Sequence, residues 1–416
     1  MVGKNDPAER HREREKRLRG RLPKAVWALG LTSLLMDASS EAIHSLLPLF
    51  LTTSLGASAT IVGLVEGLGE AVAAVFKLVG GATSDRLPRR KPVVVLGYGL
   101  AAFSKPLFAL AASVSAVIAA RLIDRTGKGL RGAARDALIA DLVAPANRGA
   151  AFGLRQSLDT LGALIGPLAA TGLMLLFAGD IRSVYGIAVI PAALAVLVLI
   201  RYVHEPARRP AHPVPPARPH VPRGAAWRDD LVALPAAFWI TLSGGVLLTM
   251  ARIGESFLLL AAEDLGVAAA AIPLAYVLMN SVYATSAWPA GRLADRWGAA
   301  HLLVFGALLL AIADLLLGMA RGTLMLGFGI AIWGLHMGLT QSLMMALVAR
   351  TLPAGRRGIG FGIFHMSLGL AALAGGIGGG MMWDSGGAIL AYPVAAGLAL
   401  TSAILFLLPA RIKEIS

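Results

Sequence analysis

Gly81-Ala82-Thr83-Ser84-Asp85-Arg86-Leu87-Pro88-Arg89-Arg90-Lys91 is a short basic connection between two long apolar runs. It returns in shortened form as Gly291-Arg292-Leu293-Ala294-Asp295-Arg296-Trp297-Gly298, again between apolar runs. The flanking runs are rich in Leu, Ala, Gly and Val, and each is about 20 residues long, the length that a hydrocarbon core about 30 Å thick demands of a spanning helix. Outward from these two connections the same pattern predicts twelve spans. They lie near 26–52, 60–82, 92–111, 114–134, 152–177 and 184–202, then 233–260, 270–290, 300–318, 323–348, 358–382 and 388–408.

The composition agrees. Of 416 residues, 56% are hydrophobic and 15% charged, and the mean hydropathy is +0.71, too apolar for a soluble globular chain. The net charge of +14 is gathered between spans, at Arg10 to Lys24, Arg86 to Lys91, Arg208 to Arg228, and Arg350 to Arg357. That distribution argues against a nucleic-acid partner and for the positive-inside rule, which puts both termini and the long central loop in the cytoplasm. The segment Asn5 to Arg21 has no apolar stretch with a small-residue cleavage site, so no removable signal is expected. The absence of cysteine excludes disulfides, thiolate-held metals and thiol catalysis.

The Pro-rich stretch Glu205 to Asp230 cannot be a packed helix and divides the chain. The expected organisation is a basic segment 1–25, a first six-helix bundle 26–202, a cytoplasmic linker 203–231, a second bundle 232–409 and a tail 410–416. The bundles repeat one another. Gly129–Leu130 and Gly338–Leu339 are 338 − 129 = 209 positions apart, and the same offset pairs Ala137–Leu138 with Ala346–Leu347, Arg148–Gly149 with Arg357–Gly358, and Phe152–Gly153 with Phe361–Gly362. Asp85–Arg86 and Asp295–Arg296 match at 295 − 85 = 210. Duplicated halves around a midplane site are the usual plan of a secondary transporter.

The two connections resemble the signature loop between helices 2 and 3 of the major facilitator superfamily, and its second-half copy. The resemblance implies an all-α membrane protein with twelve transmembrane helices in two pseudo-symmetric six-helix bundles, sited in the inner or plasma membrane and monomeric. It implies that Gly81, Asp85, Arg86, Arg90, Gly291, Asp295 and Arg296 serve switching between conformations, latching the two halves on the cytoplasmic side. Arg125-Thr126-Gly127-Lys128-Gly129-Leu130-Arg131-Gly132 resembles the helix-4 motif of exporters, in which the arginine assists proton coupling. Gly162-Ala163-Leu164-Ile165-Gly166-Pro167 resembles the helix-5 motif of antiporters; glycine and proline also suit close packing and bending in any membrane helix.

Asp37, Glu41 and His44 recur at intervals of four and three and so share one face of the first span. Ionisable groups inside a bilayer are costly and face a pathway or a partner. Glu41 is therefore the first proton-carrier candidate, with Asp37 beside it, unless both are fixed ion-pair partners of the fourth span. Glu66, Glu70 and Lys77 share a face of the second span. Arg121, Arg125 and Lys128 form a cationic stripe on the fourth, with Arg131, Arg135 and Asp136 beyond; Arg155 and Asp159 charge the fifth. The eight acids and eight bases of this half, Lys105 and Asp124 among them, balance, and such a network can rearrange its pairings when a proton enters. Aligning Met36 to Ala42 with Met250 to Ser256 sets Glu41 against Glu255, with Arg252 one turn away as partner or substrate contact. Asn280, His336, Gln341 and His365 lie among Met279, Met337, Met344, Met345 and Met366, a surface suited to an amphiphilic substrate. Trp333 and Trp288 could stack on an aromatic ligand or simply pack.

Gly127-Lys128-Gly129 lacks the rest of a Walker loop, and the eight histidines show no ligand spacing, so ATP-driven transport, a membrane enzyme and a resident metal or cofactor are not expected. The buried charges argue against a non-transporting receptor. The reading is proton-coupled export of a small amphiphilic compound by alternating access. Export of a metal ion or chelate, and transport of an anionic metabolite on the helix-4 cations, remain the alternatives.

Overall fold

In the computed structural model, residues 22–144, 147–205, 234–352 and 357–412 are described, apart from the side chains at 295, 342, 357–358 and 409–412. The linker segment 206–233, most of the N-terminal basic cluster, Arg356 and the side chains of Asp295 and Arg357 therefore lie outside the described residues. All regular structure in the described chain is helical: α1 Lys24–His44, α2 Ala59–Arg86, α3 Lys91–Leu110, α4 Val114–Leu142, α5 Arg148–Leu176 and α6 Ile181–Tyr202, then α7 in two segments Ala236–Ala251 and Ser256–Asp264, α8 Leu274–Trp297, α9 Ala299–Gly318, α10 Thr323–Thr351, α11 Arg357–Gly386 and α12 Ala388–Ile412. Local chemistry sets several ends. Ser58 accepts from the Ile61 amide at the start of α2, Ser113 from Ala116 at the start of α4, and Asp180 from Arg182 and Ser183 at the start of α6, each satisfying orphan amides of a first turn.

Two expected spans are interrupted. The first, read as continuous over 26–52, ends at His44 and resumes as a short helix Leu47–Leu49 and a π-helical turn Phe50–Ser54, because Pro48 has no amide to continue the ladder. The seventh breaks between Ala251 and Ser256, where Gly254 takes φ 129°, a conformation open to glycine.

Among the described residues, nine helices are long and apolar enough to cross a membrane by length and composition; α1, α4 and α8 are not among them. The reason is clearest in α4. It carries Arg121, Asp124, Arg125, Arg131 and Arg135, all buried, so its charges face protein while Leu96, Phe103, Leu175 and Ile404 on other helices are exposed to the outside, as a lipid-facing surface requires.

Within the first half, α1 packs on α5 and α6 and α4 on α2 and α3; in the second, α9 packs on α10 and α12 and α8 on α10. The halves meet through α2 with α11 and α5 with α8. Glycine permits the closest approach: a Cβ on Gly63 would strike the Gly376 carbonyl, and one on Gly67 would strike Leu373. The duplication is visible in packing. Gly97 lies against Gly127 and Arg131, and Gly306, 306 − 97 = 209 residues on, lies against His336 and Thr340, which stand 209 after Gly127 and Arg131.

The halves are joined at the face opposite the termini. There the Thr52 hydroxyl donates to Glu263 Oε2 at 3.1 Å, and Asp384 on α11 accepts from the Ala59 and Thr60 amides at 2.8 and 3.0 Å. Toward the face bearing the N-terminus of α1 the halves separate, leaving Lys77, Leu78 and Val79 of α2 exposed.

Candidate functional site

A cavity of about 780 Å³ occupies the separation between the halves. Its first wall is charged. Arg121, Arg125, Lys128, Arg131 and Arg135 follow the inward face of α4 at intervals of four and three, and acids from three other helices meet all four arginines. Glu66 of α2 bonds Arg121, Glu70 lies 3.1 Å from Arg125, Asp37 of α1 lies 3.6 Å from Arg131, and Asp159 of α5 lies 3.6 Å from Arg135 and 3.4 Å from Arg155. Arg131 also stacks over the Tyr98 ring at 4.5 Å. Lys128, exposed in the cavity, makes no such pair. Asp136 does not reach the cavity; it sits behind this wall, 2.9 Å from Arg155 and 3.3 Å from Arg135.

At the inner end the charges form a file. Glu41 Oε1 lies 3.7 Å from His44 Nδ1, and His44 Nε2 lies 3.6 Å from Asp124 Oδ2. Asp124 Oδ1 then accepts from Lys105 Nζ at 2.7 Å, and the same ammonium donates to Ser40 at 2.8 Å. Lys105 and Asp124 are fully buried or nearly so, a setting in which an ammonium persists only with a partner. Sequence reasoning counted this pair in the charge balance without assigning it to the site. The available signal was a lysine in the interior of the apolar α3.

The second wall is different in kind. Trp333, Met337, Met344 and Met345 line it with Tyr276 and Tyr283, together with Asn280, Gln341 and His365. Met279 is buried away from the cavity, and Met366 and Trp288 point outward. His336 is fully buried and does not line the cavity; instead Arg252 Nε donates to His336 Nε2 at 2.8 Å, and Arg252 Nη2 to Thr340 at 2.6 Å. Since His336 Nδ1 stands 2.7 Å from the Gly306 carbonyl, the bonding pattern assigns a neutral imidazole protonated on Nδ1. The expected Arg252–Glu255 pair is not formed within 4.0 Å, because Arg252 has turned to α10. Glu255 lines the cavity from the break in α7 with no ion pair.

Gly162 and Gly166 pack α5 onto α1 directly behind the acidic face. A Cβ on Gly162 would come within 2.6 Å of the Leu34 carbonyl and 3.1 Å of Asp37, and one on Gly166 within 2.8 Å of the Glu41 Cβ. Pro167 is buried beside them. Gly375, 375 − 166 = 209 residues after Gly166, packs on Met250. Met250, not Glu255, thus stands level with Ala38 to Glu41, and the alignment of Glu41 with Glu255 is not kept in three dimensions.

The signature-loop residues are organised within the first half. Arg90 bonds Asp85 at 2.6 Å and Asp141 at 2.9 Å, while Glu205 accepts from the Arg90 and Lys91 amides at 2.8 Å and so caps α3. Arg86 and Arg296 are exposed; a Cβ on Gly81 would lie 3.4 Å from the Ala133 Cβ, while Gly291 has open space around it. In this conformation, open toward the termini, the described loop side chains make no ion pair across to the other half. The charged groups otherwise form no metal cage: among the described residues, no group of three His, Asp or Glu converges on one point.

A family model described as Major Facilitator Superfamily matches residues 29–260 and 242–416. The Mycobacterium tuberculosis protein Rv2265 is 33% identical over 365 residues, covering 86% of each chain. The multidrug resistance protein MdtH of Escherichia coli is 24% identical over 347 residues, covering 83% of each. A crystal structure of the nucleoside transporter NupG superposes with a TM-score of 0.74 over 92% of this chain and 99% of that one, at 16% identity, a likeness of fold.

Proposed function

The chain belongs to the Major Facilitator Superfamily, and from that premise we propose that this multi-pass membrane transporter exports small amphiphilic compounds in exchange for protons. The observation that carries the reading is the two-walled cavity, ion-paired on the first half and lined by methionine and aromatic side chains on the second. A substrate with an apolar body and a polar group matches both walls, since thioether and aromatic surfaces adapt to varied apolar shapes. The 24% identity to a multidrug resistance protein supports the same class.

Coupling is assigned to the file Glu41, His44, Asp124 and Lys105. A proton arriving at Glu41 removes one of the two carboxylates flanking His44, and the pairings of α1 with α4 reorganise. Arg125, held by Glu70, sets the field in which Glu41 titrates, and Asp37 and Asp159 respond through Arg131 and Arg135. The positive-inside distribution supports cytoplasmic termini in an inner or plasma membrane; on that reading the present opening faces the cytoplasm and the Asp384 and Glu263 contacts close the outer side. The signature loop, bonded within the first half here, engages the second half when the cytoplasmic side closes. The transporter works as a monomer, because one chain contains both walls.

The test is proton release from energised inside-out vesicles on adding lipophilic drugs, divalent metals or organic anions in turn. The expected result is that amphiphilic drugs collapse the pH gradient with wild type and not with Glu41→Gln. Collapse by organic anions alone would favour the second reading, an anionic metabolite held by Lys128, the cavity cation that α4 leaves unpaired.

A further inference from the structure

Outside the cavity, Asp314 in the middle of α9 is fully buried, and neither of its carboxylate oxygens has a hydrogen-bond partner. The buried hydroxyl of Tyr392 on α12 is also without a partner, and Tyr392 packs against Gly318, one turn beyond Asp314 on α9. Asp264 is exposed at the end of α7, on the face opposite the termini. Trp383 on α11, next to Asp384 on that same face, meets the Tyr392 ring edge-on at 5.6 Å. Trp383 and Tyr392 thus lead from that face toward Asp314 in the second half, and none of the three lines the cavity.

The internal repeat sharpens the contrast. Asp314 is the counterpart of Lys105, since 314 − 105 = 209, in the register that the packing of Gly97 and Gly306 displays. Lys105 is neutralised by Asp124, but the counterpart of Asp124 is Trp333, since 333 − 124 = 209, and it carries no charge. The first half therefore buries a pair where the second buries a lone acid. The described titratable and charged groups on the helices packed against α9 are His336 and Arg350 on α10, Tyr392 on α12, and Arg292, Arg296, Tyr276 and Tyr283 on α8, the two tyrosines lining the cavity; on α9 itself His301 bonds the Trp297 carbonyl. His336 is committed to Gly306 and Arg252, Arg292 lies over Trp288 at 4.8 Å, Arg296 is exposed, and Arg350 lies in the last turn of α10. None compensates Asp314. A carboxylate isolated from water and from cations is held as the neutral acid.

We propose that Asp314 is a second proton-binding site, separate from the cavity and exchanging with the face opposite the termini by way of Tyr392. The carboxylate takes one proton from that face and gives it back there; no other bond changes. The resident form here is the acid, and its release requires α9 and α12 to shift so that Asp314 gains a donor, a role open to the unpartnered Tyr392 hydroxyl. The site is independent of the substrate class and of Glu41.

The experiment is pH-difference infrared spectroscopy of the full-length protein in nanodiscs, alongside transport in vesicles. A protonated-carboxyl band that titrates with pH, vanishes in Asp314→Asn and changes frequency in Tyr392→Phe is expected. Gradient-driven transport by Asp314→Asn is expected to shift its pH profile by about one unit or more, while substrate counterflow, which needs no net proton movement, is retained. Tyr392→Phe, a smaller change, supplies both readouts if Asp314→Asn does not fold. A band absent from wild type, or present at every pH with both transport profiles unchanged, overturns the proposal. Failure of Glu41→Gln to uncouple transport would sink the cavity reading and leave this one standing.

Discussion

Asp384 of α11 holds Thr60 of α2 across the boundary between the halves: its Oδ2 accepts the Thr60 hydroxyl at 2.5 Å and the Thr60 amide at 3.0 Å, while Oδ1 accepts the Ala59 amide at 2.8 Å. The carboxylate of one half is thereby the N-terminal cap of a helix in the other, where the helix dipole favours its charge. An acid on this helix terminus binds only while the face opposite the termini is closed.

Asp384→Ala removes that cap and leaves Thr52–Glu263 as a polar tie between the halves on this face. Charge-assisted hydrogen bonds contribute about 1.5–3 kcal/mol, so the balance between the form open toward the termini and the form open on the opposite face is expected to move at least about tenfold toward the latter. Distances between spin labels on α2 and α11, in a chain with no native cysteine, report the shift. An unchanged distance distribution would show that the cap does not hold the gate.

Lys105→Met leaves Asp124 buried without its ammonium. Breaking one side of a buried pair costs about 3–5 kcal/mol, whereas replacing both partners by apolar groups is often neutral. Lys105→Met is thus expected to lower thermal stability sharply, and Lys105→Met with Asp124→Leu to restore it. Proton-coupled transport stays lost in the double variant while substrate binding persists, a split that a purely structural pair would not give.

How far the sequence carried the fold and site depends on the kind of order each residue takes part in. The spans and the α4 stripe were legible because helical spacing is local: Arg121, Arg125 and Arg131 had to share a face. Their partners were not, since nothing in the spacing of Asp37 or Asp159 says which arginine each will meet across the bundle. The pairing of Arg252 with Glu255 failed for the same reason; a near neighbour in sequence lost to His336, 84 residues away, because α7 breaks at Gly254. Lys105 and Asp124 were counted in the charge balance but not placed in the site, and Asp314 was overlooked as a single charge in an apolar run. Their meaning lies in whether a neighbouring helix supplies a counter-charge, as α4 does for Lys105 and no described side chain does for Asp314. Trp288 and Met366 fell on the outer face, where composition alone does not distinguish lipid from substrate.

Gly166 and Gly172 lie on the same helix but face different surroundings. A Cβ at Gly166 would meet the Ala38 carbonyl and the Glu41 Cβ, while one at Gly172 would meet nothing within 4 Å. Gly166→Leu must therefore push α5 off α1, at a cost of about 1–3 kcal/mol for overpacking. It also displaces Glu41 from His44 and so disturbs the proton file at its mouth. Gly172→Leu adds the same side chain toward open space and, within an exposed helix interior, exchanges a poor helix former for a good one. The expected outcome is a folded Gly166→Leu protein with transport and proton release both reduced, and a Gly172→Leu protein equal to wild type, read from vesicle assays on matched amounts of each. Equal loss in the two variants would mean that helix 5 senses bulk anywhere along its length. Equal activity would mean that the contact between α5 and α1 is not what positions Glu41.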